Sequence, residues 1–305
     1  MENIKNPKLY LKLNPWYVTG FSDGEACFHI AIGKNIKYKN GFYVNPGFSI
    51  VLHKKDKILL EKIQAYFGGI GTLKTKDKIV EFRIFSMKDL KVIIDHFDNY
   101  PLITKKQIDY MLFKETLELI INKEHLTVEG LQKIVNIRAS MNKGLPETLK
   151  KAFPDAIPHT KSLVTTPKVI DPNWVVGFTE AEGCFFVKKH LNNERLSIKL
   201  GCQITQHNRD ILLLKSLIDF FNCGRLEPVG ESSQNFITAK LSDITKIIIP
   251  FFDKYPLVGS KAKDFKDWKK ISELMTSKAH LNKEGQEQIL QIKSRINTSR
   301  TWEEK

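Results

Sequence analysis

Apolar and polar positions follow two periods along this chain, and the periods change in the same order twice. From Val18 a helical apolar run lasts about two turns and ends at Glu25. Strict alternation follows, with Phe28, Ile30 and Ile32 on one side and Cys27, His29, Ala31 and Gly33 on the other. A polar turn at 39–41 leads to a second strand over 42–52. Here Phe48, Ile50 and Leu52 face inward, and Asn45, Gly47, Ser49 and Val51 face outward. Helical spacing returns over 56–67, where Ile58, Leu59, Ile63 and Phe67 form an apolar stripe. Strands at 71–75 and 79–85 are joined by the turn Lys76-Asp77-Lys78. Helices are predicted at 87–100, 105–122 and 128–141.

The second half repeats this order. Gln206-His207-Asn208-Arg209-Asp210 answers Leu52-His53-Lys54-Lys55-Asp56, and Asp253-Lys254-Tyr255-Pro256-Leu257 answers Asp98-Asn99-Tyr100-Pro101-Leu102. The matching residues stand 157 apart at Glu25 and Glu182 and 155 apart at Tyr100 and Tyr255, a drift ascribed to loop length. Periodicity breaks between the halves, from Lys143 to Ile170, where Pro146, Pro154, Pro158 and Pro167 stand among Thr and Lys. The reading is one repeat at 1–145, a linker at 146–170 containing a weak helix at 146–153, and a second repeat at 171–305. The fold class is α+β, with two pseudo-symmetric αββαββα repeats. An arm at 1–13 and a frayed tail from Ser299 complete it.

The run that opens each repeat carries the candidate chemistry. Asn14 and Asp171 are helix-capping residue types, each followed by a proline suited to the first helical turn. Gly20 with Gly24, and Gly177 with Ala181, recur four apart and put small residues on one face, which lets two helix backbones come close. Each run ends in an acid, Glu25 or Glu182. The last carbonyls of a helix already carry partial negative charge, so a carboxylate there is unfavourable. If the two small faces pack together, both acids and both sets of carbonyls converge. A hard divalent cation resolves that repulsion, and oxygen ligands are what Mg²⁺ or Ca²⁺ take.

Charge sharpens the picture. The net charge is +14, which favours a polyanionic partner. Helices are expected to cover one face of each four-stranded sheet, and the other face is polar. In the first repeat that face carries His29, Lys34, Lys37, Asn45, Ser49, Lys74, Lys76 and Arg83. In the second it carries Phe186 in the place of His29, with Lys188, His190, Asn192, Arg195, Lys199, Gln203, Thr205 and Arg225. Strand ribbons fit the major groove, where such side chains read base edges. The two faces differ in sequence, so the expected target is long and non-palindromic. Hydrophobic residues make up 42% of the chain, ample for packed cores. The four cysteines form no CxxC pair and show no zinc spacing, which points to a reducing compartment. No run has the length of a membrane span, and no membrane partner is expected.

Val18 to Ala26 and Val175 to Gly183 resemble the nine-residue motif of the LAGLIDADG homing endonucleases. The second copy keeps the final glycine and the first has Ala26. A left-handed turn there would cost alanine about 1 kcal/mol. The resemblance spans nearly the whole chain and implies more than the residues do. It implies a monomer whose two sheets form a DNA-binding saddle, with the motif helices at the inter-repeat interface. Glu25 and Glu182 would be metal ligands serving one strand each, joined by the carbonyls of Gly24 and Ala181. Gln206 and Lys240 look like the polar and basic residues near the metals, and the first repeat departs with Leu52 and Ser86 at those places. The implied reaction is a double-strand break in a double-stranded DNA target, leaving 3′ overhangs, with Mg²⁺ as the implied metal and Ca²⁺ able to occupy the site without supporting cleavage. The alternatives are a maturase that binds intron RNA on the same scaffold and a non-cleaving DNA-binding relic. Mitochondrial location, by organellar intron encoding, is implied by resemblance alone. His53 and His207, at strand-to-helix turns, are read as structural.

Overall fold

The alternating segments form strands, and the apolar stripes form helices that cover one side of each sheet. The computed structural model describes residues 12–159, 168–169, 171–192 and 195–297, except for the side chains of residues 191, 192 and 195. The expected arm, apart from residues 12 and 13, lies outside the described residues, as do the tail and part of the linker.

The first repeat runs α1 (Pro15–Glu25), β1 (Ala26–Lys34), β2 (Phe42–His53), α2 (Lys57–Tyr66), β3 (Thr72–Lys76), β4 (Ile79–Ile84), α3 (Met87–Asn99), α4 (Lys106–Ile121), α5 (Val128–Ser140). The short α6 (Glu147–Ala152) follows. The second runs α7 (Pro172–Glu182), β5 (Gly183–Asn192), β6 (Arg195–His207), α8 (Ile211–Phe221), β7 (Arg225–Val229), β8 (Ser233–Thr238), α9 (Leu241–Asp243), a π turn (Ile244–Ile248), α10 (Ile249–Lys254), α11 (Lys261–Thr276) and α12 (Lys283–Lys293). Each sheet is antiparallel, in order β1-β2-β4-β3 or β5-β6-β8-β7. Contacts divide the chain into two compact units. One holds Glu25 with β1 through α6. The other holds Trp16–Gly24 together with α7 and all that follows it, so the first motif helix packs with the second repeat.

Aromatic rings fill both cores in the same pattern. Phe28, 1% exposed, has Phe48, Phe97, Tyr110 and Phe113 around it at centroid distances of 5.3–5.5 Å. Phe185 has Phe252, Phe265 and Trp268 around it at 5.1–5.5 Å, with buried Cys202 in the place of Phe48. In α2 the buried face is Leu59, Leu60 and Ile63, followed by Phe67. The expected Ile58 is 50% exposed, because one step around the helix carries it off the stripe that Leu60 joins.

Register locates the drift between repeats. Equivalent residues are 157 apart at the motifs (25 and 182) and 154 apart where Ala26 meets Ile50 and Gly183 meets Ile204. The first hairpin therefore loses three residues in the second repeat. One is regained by Tyr255, where α3 is answered by a helical run containing the π turn. A π turn absorbs a single inserted residue without ending the helix. Part of the drift is thus inside a helix and not in a loop.

Candidate active site and nucleic-acid interface

α1 and α7 meet through their small residues. A Cβ on Gly20 would lie 2.1 Å from the carbonyl oxygen of Trp174, and one on Gly177 would lie 2.1 Å from that of Tyr17. Both obstacles are backbone, so only glycine permits the approach. One turn on, a Cβ on Gly24 would lie 2.3 Å from Ala181 Cβ and 3.5 Å from Glu182 Oε1. The last turn of the first motif helix thus lies against the carboxylate that ends the second. Glu25 and Glu182 are both half-buried. The final motif position is not left-handed: Gly183 has φ −78° and ψ 154°, so Ala26 carries no such penalty. Gly183 is small because a Cβ would strike the Thr179 side chain at 2.5 Å.

Two buried acids that sequence reasoning passed over hold this arrangement. Asp23 and Glu180 occupy the same motif position and are 4% and 7% exposed. Trp174 Nε1 donates to Asp23 Oδ2 at 2.8 Å, and the Tyr17 hydroxyl donates to Glu180 Oε2 at 3.4 Å, so each helix gives the other an aromatic donor. Glu180 Oε2 also accepts from the backbone N–H groups of Val258 and Gly259 at 2.8 and 3.0 Å. That turn leads into α11, and the first residue of α11, Lys261, donates from Nζ to the Gly183 carbonyl. A lysine therefore stands one residue past Glu182. Its counterpart Lys106 opens α4, and its charge opposes the burial that pushes the Cys27 thiol up. Both lysines follow the Tyr-Pro-Leu turn at the same spacing, a repeat signal that could have found them.

Gln206 lies near the end of β6, and Lys240 immediately precedes α9. Gln206 pairs with Gln234 and shares its side of β6 with the buried Cys202 and Ile204. Lys240 precedes α9, with its side chain 76% exposed and ion-paired to Asp243 at 3.8 Å. His53 and His207 cap the turns after β2 and β6. Each Nδ1 accepts a backbone N–H two residues on, at 3.2 and 3.1 Å, which is the structural role expected.

The outer faces follow from the pairing. In the first sheet one row runs Cys27, Ser49, Arg83, Thr72, and the next runs Val51, Glu81, Lys74. Lys34, Lys37, Asn45, Lys74 and Lys76 are exposed, whereas Ser49 is 8% exposed. His29 packs over Gly47 and against Phe85, and burial lowers its pKa. In the second sheet the matching rows are Cys184, Gln203, Ile237, Arg225 and Thr205, Asn235, Glu227. Phe186 lies over Gly201 as His29 lies over Gly47, with Lys188 Nζ 4.9 Å from its ring centre. Lys188, His190, Lys199 and Arg225 are exposed, and Gln203 and Thr205 half-buried. The side chains of Asn192 and Arg195 lie outside the described residues.

Comparison with known proteins agrees with this geometry. The family pattern described as LAGLIDADG endonuclease matches residues 18–117 and 175–272. "Probable intron-encoded endonuclease 3" of Neurospora crassa is 41% identical over 282 residues, covering 90% of this chain; the chain spans 53% of that relative's length. The crystal structure of the I-SmaMI LAGLIDADG homing endonuclease bound to cleaved DNA is 42% identical, with a TM-score of 0.92 over 95% of this chain and 99% of that one. I-SmaMI bound to uncleaved DNA target in the presence of calcium ions is also 42% identical, with a TM-score of 0.91 over 94% and 99% of the two chains. On the paired glycine-faced helices, the twice-repeated fold and these matches, the chain belongs to the LAGLIDADG endonuclease family.

Proposed function

We propose that this chain is a site-specific DNA endonuclease that makes a divalent-cation-dependent double-strand break in a long, non-palindromic duplex and leaves 3′ overhangs. The observation that carries it is the seating of Gly24 against Glu182, at the end of two helices joined through glycine. Mg²⁺ takes one or two carboxylates and leaves its other positions to water and substrate phosphate. Glu25 and Glu182 would hold it, with the carbonyls of Gly24 and Ala181. When bound, such an ion supplies a Lewis acid for the phosphate and a nucleophile at neutral pH.

The chain's own groups do the rest. Lys261, fixed on the Gly183 carbonyl, is the basic group we assign beside Glu182 in preference to Lys240, and Lys106 is its counterpart. The lysines and arginines of the two outer faces bind phosphate and read bases. Their different side chains in the two repeats support a target without a two-fold axis. Encoding within an organellar, mitochondrial intron is the setting we infer, in keeping with the intron-encoded Neurospora relative.

The test is Glu25→Gln and Glu182→Gln, each removing one charge at nearly constant shape. Both variants should bind duplex DNA as well as the parent in metal-free buffer and lose cleavage in Mg²⁺. Full cleavage by either variant overturns the assignment.

A further inference from the structure

Each outer face holds one arginine tied to a glutamate two residues along the same strand. Arg83 Nε donates to Glu81 Oε1 on β4, and Arg225 Nη2 donates to Glu227 Oε1 on β7. Residues two apart on a strand point to the same side, so both members of each couple face outward. The couples share the same two rows. Arg83 and Arg225 lie in the rows that start at Cys27 and Cys184, and Glu81 and Glu227 lie in the rows next to them. They do not share the same strand. In the first sheet the couple is on inner strand β4, and Thr72 and Lys74 stand beside it on edge strand β3. In the second it is on edge strand β7, and Ile237 and Asn235 stand on inner strand β8.

A carboxylate on a DNA-reading face repels phosphate, so it needs a use. Glu81 is mostly covered, its side chain 16% exposed, while Arg83 reaches past it at 39%; for Glu227 and Arg225 the values are 40% and 58%. A guanidinium has five donors in a planar fork. Engaging one nitrogen, Nε in Arg83 and Nη2 in Arg225, leaves the other N–H groups of each fork to donate to a second partner. A pair of such donors matches the O6 and N7 acceptors of guanine in the major groove. The carboxylate fixes the plane of the fork before DNA arrives, which lowers the ordering cost of binding.

We propose that Glu81 and Glu227 are positioning residues that preset Arg83 and Arg225 as guanine readers. We also propose that the shift from inner to edge strand makes the two half-sites specify guanine at different distances from the target centre. Adjacent strands lie about 4.8 Å apart, more than the rise of one base pair, about 3.4 Å. Moving the couple by one strand therefore changes the base pair it meets. This rests on the endonuclease reading above.

The experiment selects a randomised DNA duplex library for binding by the parent protein, then profiles every single-base change of the selected site. Arg83→Ala should flatten guanine preference at one position in one half-site, by tenfold or more, and Arg225→Ala at one position in the other. Glu81→Ala should weaken the same position as Arg83→Ala and no other. Glu81→Gln, which keeps an acceptor, should restore part of the preference. The two positions should differ in distance from the centre by at least one base pair. Uniform affinity loss without a positional change, in the arginine or the glutamate variants, overturns the positioning role. Positions at equal distances overturn the strand-shift claim. A parent protein that selects no sequence overturns the endonuclease reading itself, which keeps the two failures distinct.

Discussion

The two repeats agree at most inner positions and differ outside. Phe28 and Phe185 sit at equivalent hubs, and the rings of Phe97, Tyr110 and Phe113 are answered by those of Phe252, Phe265 and Trp268. On the outer faces Ser49 is answered by Gln203, Val51 by Thr205, and an arginine has changed strands. Close packing explains the agreement, since a core position feels a change of one methylene. An outer strand position bears no such constraint, so it is free to follow the DNA. The same contrast appears in the motif helices, where the close approaches at Gly20 and Gly177 match while the flanking donors, Tyr17 and Trp174, are not alike.

The largest effect should come from the matched contacts. Gly20→Ala and Gly177→Ala each place a methyl carbon 2.1 Å from a carbonyl oxygen that cannot swing away. Each should lower stability by more than about 3 kcal/mol, the upper range for overpacking. The two losses should be equal within about 1 kcal/mol, because the obstacles are equivalent. Denaturant melts of the two variants check this. One variant melting like the parent would break the symmetry of the helix pair.

The helix pair and both sheets were legible because alternation and a gapless repeat left little choice of register. What stayed hidden had no local pattern. Lys261 is one of several lysines in the first two turns of α11, and only the fold brings its Nζ to Gly183. Gln206 and Lys240 rest on the family resemblance alone; Gln206 shares its side of β6 with buried Cys202 and Ile204, and Lys240 is exposed beside Asp243. Asp23 and Glu180 went unread, because their partners Trp174 and Tyr17 lie 151 and 163 residues away in sequence. The π turn leaves only two traces in the sequence, Pro250 shortly after it and the one-residue change in spacing between repeats.

A second difference lies in the helical cores and should appear as a pH effect. His96 packs among Tyr66, Phe67, Phe97 and Tyr100, with Nδ1 3.1 Å from the Tyr66 hydroxyl. The second repeat has Phe251 there, among Phe220, Phe221, Phe252 and Tyr255. Burial lowers the His96 pKa to about 4, below the ordinary value near 6.5. As pH falls through 6.5 the unfolded chain takes up the proton first, so stability declines and levels off only below about 4. The full contribution is about 3 kcal/mol. The double change Tyr66→Phe with His96→Phe copies the second repeat and leaves no orphaned hydroxyl. Its melting temperature should fall less than the parent's between pH 6.5 and 4, and parallel curves would sink the assignment.

The smallest effect should be at Tyr17. Its hydroxyl meets Glu180 Oε2 at 3.4 Å, the long end of hydrogen bonding, whereas Trp174 meets Asp23 at 2.8 Å. Glu180 Oε2 keeps two shorter bonds from Val258 and Gly259 when that hydroxyl is removed. An acceptor that stays satisfied loses only the net value of one bond, so Tyr17→Phe should cost under about 1 kcal/mol. The ring stays in place, because Phe fills the same volume. Glu180→Gln should cost more, since it withdraws charge from both backbone donors and from the turn that delivers Lys261. Bonds to a charged group are worth about 1.5–3 kcal/mol. A double-mutant cycle then isolates the pair. Its coupling should be below about 0.5 kcal/mol if the backbone donors, and not the tyrosine, hold Glu180. A coupling near 2 kcal/mol would mean that the first helix itself fixes the acid, and through it the turn before Lys261.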